Sequence, residues 1–181
     1  MSDHTDEAEY RMEKSIESLE YNFGRVRTGR ANPRILDSIK VDYYGVPTPI
    51  TQLAGVKVPE ASMLTIEPWD KSSLRNIEKA IRQSDLGITP SNDGRLIRLP
   101  FPQPTEERRR ELVRDCKQLA EEARISIRNA RGAANRAIDR DEELSEDMQA
   151  AEKKQIQKLT DEYVAQVDAM LKQKTAEVME I

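Results

Sequence analysis

The chain has 181 residues, of which 34% are charged and 4% aromatic, and its formal net charge at pH 7 is −4. So many charges and so few aromatic rings favour a narrow core between long helices, and they exclude a large β-sandwich. Hydrophobic residues make up 37% of the chain and recur periodically, which excludes a disordered protein.

The prolines divide the chain into two kinds of segment. All nine lie between Pro33 and Pro104, and residues 1–30 and 105–181 contain none. A proline inside a helix costs about 3 kcal/mol, so the outer segments can form long helices and the middle segment cannot. We therefore predict an α+β protein, in which residues 1–30 and 105–181 form a discontinuous bundle and residues 31–104 form an inserted domain.

The first helix is predicted from apolar residues that recur alternately at spacings of four and three. They are Met12, Ile16, Leu19, Phe23 and Val26. This spacing places them on one face, as in a coiled coil, and Gly29 supplies a C-terminal stop.

Residues 31–104 predict a small β/α/β domain. Ile39, Val41 and Tyr43 alternate with polar positions, as in a strand, and Gly45 then turns the chain. The two prolines that follow allow only an edge strand or an extended loop. The remaining predicted elements are the strands Val56–Val58, Met63–Glu67 and Arg95–Leu99, a helix over Ser72–Ser84 and a turn at Asn92–Gly94.

Two long helices are predicted after the inserted domain. The second helix has Thr105 as its N-cap and runs to about Arg140, and the third has Ser145 as its N-cap. Their apolar stripes are Leu112, Cys116, Leu119, Ala123, Ile127, Ala130, Ala134 and Ala137 in the second, and Ile156, Leu159, Tyr163, Val167, Leu171 and Val178 in the third. With the first helix they predict an elongated three-helix bundle. The two short linkers to the insert predict a hinge between two rigid bodies in an angular arrangement.

A basic ridge lies on the second helix, on the face turned away from its apolar stripe. At about 100° per residue its members fall within an arc of similar width, which only Glu121 interrupts. They are Arg110, Arg114, Lys117, Arg124, Arg128 and Arg131, with Asn135 at the end. Arginine offers phosphate a planar, forked set of donors, so the ridge suits a folded RNA backbone. A solvated face, or pairing with acids of neighbouring helices, is the alternative that the charge pattern leaves open.

Little in the sequence supports enzymatic chemistry. His4 is the one histidine and Cys116 the one cysteine, so the chain can form neither an internal disulfide nor a zinc site from cysteine and histidine. The common glycine-rich phosphate-binding motifs do not occur. We expect no catalytic residue, metal or cofactor. The acidic N-terminus and the lack of a long apolar run lead us to expect a cytoplasmic protein without a membrane partner.

Five motifs occur in an order and spacing that identify a family. They are RTGRANP at Arg27–Pro33, DYYGVPTP at Asp42–Pro49, SDLG at Ser84–Gly87, TEERR at Thr105–Arg109 and ARISIRNAR at Ala123–Arg131. Together they resemble the bacterial ribosome recycling factors, and the resemblance covers essentially the whole chain.

The resemblance implies a three-helix bundle and an inserted β/α/β domain in a tRNA-like L shape, without enzymatic activity. It implies a factor that splits post-termination ribosomes into subunits with elongation factor G and GTP. Its bundle would bind large-subunit rRNA, and its insert would face elongation factor G and the small subunit.

The resemblance also gives individual residues their roles. Arg128 and Arg131 match the family's main rRNA contacts, and Arg27 is a further candidate. Gly29 and Arg30, with Pro104 and Thr105, fall in the hinge. We also expect a monomer, because a ligand of one ribosomal site needs no second copy.

The chain departs from the family pattern at two places. Gly132 and Ala133 stand where the family usually carries a basic and then an acidic residue, so one phosphate contact is expected to be missing. The connection before Leu144 is about three residues shorter than usual, close to one helical turn, so the bundle tip should be trimmed. These departures keep open the hypothesis of a same-fold factor that binds ribosomes without splitting them. A third hypothesis, a protein-binding scaffold with a coiled-coil-like bundle and no RNA partner, stays open beside it.

Overall fold

The fold is described from a computed structural model, in which residues 2–180 are described. The chain divides into two compact units, one of residues 2–27 with 106–180 and the other of residues 28–105. Long helices and a small set of strands confirm the α+β class. In chain order the elements are α1 (Asp3–Arg25), β1 (Lys40–Tyr43), β2 (Val46–Pro49), α2 (Ile50–Leu53), β3 (Ala54–Glu60), β4 (Met63–Pro68), α3 (Leu74–Gln83), β5 (Ser91–Asn92), β6 (Ile97–Pro100), α4 (Glu106–Asp139) and α5 (Glu146–Met179).

Side-chain caps begin two of the bundle helices. The Ser2 hydroxyl accepts a hydrogen bond from the Thr5 amide at 3.3 Å, and the Ser145 hydroxyl accepts one from the Met148 amide at 3.3 Å. Helix α1 ends at Arg25, four residues before the predicted stop, because Val26 is already extended. Gly29 still makes the turn that glycine favours, with φ of +80°.

The core of the helical unit follows the predicted stripes with one correction. Met12, Cys116 and Ile127 are fully buried, as expected from the spacing. Ala137, predicted to lie on the stripe, is exposed, and Ile138 is buried instead. At 100° per residue, Ala137 lies about 60° from the middle of the buried arc of α4 and Ile138 about 40°, so the buried face includes Ile138 and leaves Ala137 at its edge.

The inserted unit contains two antiparallel sheets. Strands β1 and β2 form one, and the other has the order β3-β4-β6-β5. The core of the inserted unit consists of side chains from the inner face of the larger sheet and from α3, including Leu64, Ile66, Ile77, Ile81, Ile97 and Leu99. The prolines of β2 lie in an edge strand, as predicted. The one-turn helix α2 and the 3-10 turn at Pro33–Leu36 were not predicted, because elements this short carry no periodic signal.

Tyr163 on α5 is expected to make the stability of the helical unit fall at alkaline pH. The side chain is buried, and its hydroxyl donates to Glu13 Oε1 at 3.4 Å. Burial, followed by the negative charge of Glu13, raises the Tyr163 pKa from 10.0 to about 12. A raised folded-state pKa gives stability that is fully present below the unfolded pKa and is lost as the pH rises through the folded value. We expect the Tm to fall between pH 10 and about pH 12, and less so in Tyr163→Phe. Ultraviolet difference titration of the two proteins should isolate an ionisation near pH 12.

Candidate functional site

The basic ridge lies on one continuous helix. Helix α4 spans 34 residues without interruption, so Arg110 and Arg131 are held about 32 Å apart along a rigid axis. Arg110, Arg114, Lys117 and Arg128 are exposed, whereas Arg124 and Arg131 are partly buried. The ridge therefore has an outward row and two members that face the neighbouring helix.

Glu121 lies in the middle of the ridge and is hydrogen-bonded to two of its arginines. Arg124 Nη1 donates to one carboxylate oxygen at 3.0 Å, and Arg128 Nη1 donates to the other at 3.1 Å. These bonds, that of Arg124 first, lower the pKa of Glu121 below its usual range. Glu121 therefore stays ionised at neutral pH and offsets part of the positive charge between the two arginines.

Arg124 links α4 to α5. Its Nη2 and Nε both donate to Asp168 Oδ1, at 2.6 and 3.0 Å, and only 19% of its side chain is exposed. The charge pattern left open the alternative that ridge arginines pair with acids of neighbouring helices. This arginine does so, because its partner lies on the third helix. An RNA phosphate would have to compete with two carboxylates for its donors.

Arg131 and Arg128 keep more of their donors available. Arg131 Nη1 donates to Gln157 Oε1 at 3.0 Å, a neutral partner that orients the guanidinium without cancelling its charge. Half of the Arg128 side chain is exposed, and its partner Glu121 is equally exposed, so this ion pair is worth at most about 1 kcal/mol. The two arginines lie three residues apart on α4, close to one helical turn.

The arginine at the N-terminal end of the ridge makes only a weak ion pair within the protein. Arg110 pairs with Glu106 at 2.8 Å, and their side chains are 66% and 76% exposed. At this exposure an anionic ligand can displace the carboxylate at little cost. At the other end, the buried Asn135 Oδ1 finds no hydrogen-bond partner among residues 2–180.

The remaining candidate residues lie where the chain passes between the two units. Arg27 is exposed and lies two residues beyond the end of α1. Gly29 and Arg30 on one linker, and Pro104 and Thr105 on the other, lie near the boundaries of the second unit. Within that unit, Gln103 Nε2 donates to the Gly29 carbonyl at 3.3 Å, which holds the two linkers together.

Arg136 is a cation that the sequence argument left outside the ridge. Its Nη1 lies 3.4 Å from the place that a Cβ at Gly132 would take. The guanidinium thus lies beside Gly132, the position where the resemblance leads us to expect a basic residue. The spacing of four residues between Gly132 and Arg136, one helical turn, was the signal that could have revealed it.

Gly132→Ala is expected to stabilise the helical unit. The nearest atom to the new Cβ is the far end of a flexible arginine, so packing does not require glycine, and alanine gains up to about 1 kcal/mol in helix propensity. Chemical denaturation should show a higher midpoint than that of the original chain. A lower midpoint would mean that the backbone at Gly132 is held in a conformation that alanine cannot adopt without strain.

Two other kinds of site were searched for in the described part of the chain. Between residues 2 and 180, no helix is both long enough and apolar enough to cross a membrane. Within the same range, no three histidine, cysteine or acidic side chains are grouped so that they could hold a metal ion.

Comparisons with known proteins agree on one family. A family model described as ribosome recycling factor matches residues 19–179. The ribosome-recycling factor of Caldicellulosiruptor saccharolyticus is 50% identical over 177 residues, 96% of each chain. That of Oleidesulfovibrio alaskensis is 49% identical over 178 residues, 97% of each chain.

Solved structures give the same result. The solution structure of a ribosome recycling factor superposes with a TM-score of 0.77 at 40% identity, covering 99% of this chain and 97% of its own. A second structure, with a TM-score of 0.61 and 43% identity over 97% of each chain, presents the T. thermophilus ribosome recycling factor and the E. coli elongation factor G bound to the E. coli post-termination complex.

Proposed function

The chain belongs to the ribosome recycling factor family, and we propose that it releases ribosomes from mRNA after termination. It does so with elongation factor G and GTP, by splitting the post-termination complex into subunits. The observation that carries this proposal is the family match over nearly the whole chain. The related factor described together with elongation factor G on a post-termination complex supports the same partners here.

The bundle is proposed to bind large-subunit rRNA through the basic ridge. Arg128 and Arg131 are the main anchors, because one is half exposed and the other is oriented by a neutral glutamine. Arg27, Arg110, Arg114 and Lys117 supply further phosphate contacts from exposed positions. Arg124 contributes mainly by holding α5 against α4 through Asp168, and only secondarily to rRNA.

The inserted unit is proposed to be the part on which elongation factor G acts, near the small subunit. Force applied to this unit reaches the bundle through the two linkers, with Gly29, Arg30, Pro104 and Thr105 as the hinge. Because the work comes from GTP hydrolysis by the partner, this chain needs no catalytic residue. We further propose that it acts as a monomer in the cytoplasm.

Binding to isolated large subunits tests the rRNA contact. The protein would be sedimented with large subunits between low and high salt. Contact through about six cations releases counterions, so the affinity should fall steeply as salt rises. An affinity insensitive to salt would favour the helical scaffold, whose apolar interface does not depend on counterions.

A separate sedimentation of whole ribosomes tests the splitting step. With elongation factor G and GTP present, we expect ribosomes to dissociate into subunits. If the protein stays bound to intact ribosomes instead, the non-splitting factor becomes the better description, with Gly132 and the trimmed tip as its structural basis.

A further inference from the structure

Glu121 is the acid that interrupts the basic ridge, and it is bonded to two ridge arginines at once. Its two carboxylate oxygens accept hydrogen bonds from different guanidinium groups, that of Arg124 at 3.0 Å and that of Arg128 at 3.1 Å. Half of the Glu121 side chain is exposed. The carboxylate therefore lies on the surface that the ridge offers to a ligand, and it occupies donors that a phosphate would use.

The contact between Glu121 and Arg128 spans two turns of α4. The two residues are seven positions apart, which is about 10.5 Å along the helix axis. Because side chains on an α-helix lean toward its N-terminus, Arg128 lies back along the helix to reach the carboxylate. In the protein alone, the guanidinium of Arg128 is thus held along the surface of α4. A phosphate has to draw it away from Glu121 before it can use the same donor.

Arg124 is the fixed partner of this carboxylate. Its Nη2 and Nε are both bonded to Asp168 on α5, and only 19% of its side chain is exposed. When Arg128 turns to a phosphate, Glu121 keeps its bond to Arg124 Nη1, so the exchange leaves no carboxylate without a cation. The exchange then breaks only the bond between two half-exposed side chains, which is a weak ion pair.

Arg131 is held in a different way. Its Nη1 donates to the amide oxygen of Gln157 at 3.0 Å, and this oxygen carries no formal negative charge against which a phosphate has to compete. The two main anchors of the ridge therefore differ. A phosphate meets an oriented charge without a counter-ion at Arg131, and a charge already paired with a carboxylate at Arg128.

We infer that Glu121 is an internal competitor of the rRNA phosphate, which holds Arg128 in the free protein and yields it to the large subunit. The inference rests on the proposed rRNA contact of the ridge and adds a residue that limits its affinity. Glu121 acts through Arg128 and makes no bond to the RNA, so it is a positioning residue. Differences in affinity at one interface are mostly differences in dissociation rate, so Glu121 also shortens the time that the protein stays bound.

Glu121→Gln tests the competitor directly, because it removes the negative charge and keeps the size of the side chain. The Kd of the full chain for isolated large subunits would be measured by sedimentation at fixed salt. We expect Glu121→Gln to bind about fivefold more tightly, the upper range for the loss of an exposed ion pair. Dissociation of labelled protein, followed after a chase with unlabelled protein, should slow by a similar factor.

Glu122→Gln is the matched control. It makes the same substitution and the same change of net charge at the next residue of α4, about 100° further around the helix. Glu122 is exposed, and its carboxylate accepts a hydrogen bond from the neutral Gln118 at 3.3 Å in place of a ridge arginine. Its effect on the Kd should be less than about twofold, because salt screens exposed charges that are not in contact.

A double-mutant cycle with Arg128→Ala shows whether Glu121 acts through Arg128. Arg128→Ala alone should weaken binding. Adding Glu121→Gln to it should change the Kd no more than Glu122→Gln does, because the donor for which the carboxylate competes is gone. An effect of general charge or of helix stability would instead be the same with and without Arg128. Circular dichroism would verify that every variant is folded.

Three outcomes would overturn the inference and leave the proposed rRNA contact in place. If Glu121→Gln binds no more tightly than the original chain, the carboxylate does not compete with phosphate. If Glu122→Gln tightens binding equally, the effect is one of net charge. If the gain persists without Arg128, Glu121 acts elsewhere on the ridge. A chain that does not bind large subunits at all would overturn the proposed rRNA contact itself, and the inference with it.

Discussion

Arg131→Glu is expected to leave the protein folded and to weaken binding to large ribosomal subunits about 100-fold. A charge-assisted hydrogen bond to phosphate is worth about 1.5–3 kcal/mol, and the reversed charge adds repulsion. Within the described residues, the hydrogen bond that the substitution removes is the one to Gln157, which is exposed and neutral. The measurement is sedimentation with large subunits at fixed salt, alongside thermal denaturation of the same variant.

Lys158→Glu is the matched control for this reversal. It makes the same change of net charge at a side chain that is 79% exposed on α5 and is not a member of the ridge. Its effect on subunit binding should be small. If Arg131→Glu binds as well as the original chain, Arg131 is not an anchor. If both variants lose affinity equally, the loss reflects the net charge of the protein and not a contact at Arg131.

Ile127→Ala is expected to destabilise the helical unit by about 2–4 kcal/mol. The side chain is completely buried in the core formed by α1, α4 and α5, so its loss removes apolar contacts and leaves a cavity. For a chain of this size, that change lowers the Tm by roughly 5–15 °C. Thermal unfolding followed by circular dichroism at 222 nm would detect it, because most helical residues belong to this unit.

The same helix supplies a control of the same residue type. Ile125, two positions away, is 48% exposed, and Ile125→Ala should change stability by less than about 0.5 kcal/mol. Similar shifts in the two variants would contradict the assignment of the buried face of α4. They would also contradict the placement of the ridge, since the buried face and the basic ridge are both defined on this helix.

The long helices could be predicted because their signals repeat. The absence of proline fixes where a helix can run, and the caps and apolar spacing place its ends and its buried face. Ser145 caps α5 as the sequence indicates, and Ile127 lies at the centre of the predicted stripe. The signal weakens only at the ends, where α1 ends at Arg25 and the stripe shifts from Ala137 to Ile138.

The partners of the ridge could not be predicted in the same way. The angular argument treats α4 as an isolated cylinder, so it places Arg124 beside Arg128 without regard to the next helix. Asp168 lies 44 residues further along the chain, and only the packing of α5 brings it within 2.6 Å of Arg124. Trp69 shows a related limit: an aromatic residue directly after a strand resembles a core residue until the exposed side of the sheet is known.

The most direct test of the recycling function is a subunit-release assay. Post-termination ribosomes would be mixed with this protein, elongation factor G and GTP, and sedimented with a trap that prevents subunits from reassociating. We expect free subunits only when all three components are present, and none with Arg131→Glu. Intact ribosomes in the complete mixture would contradict the proposal, whether the protein stays bound to them or not.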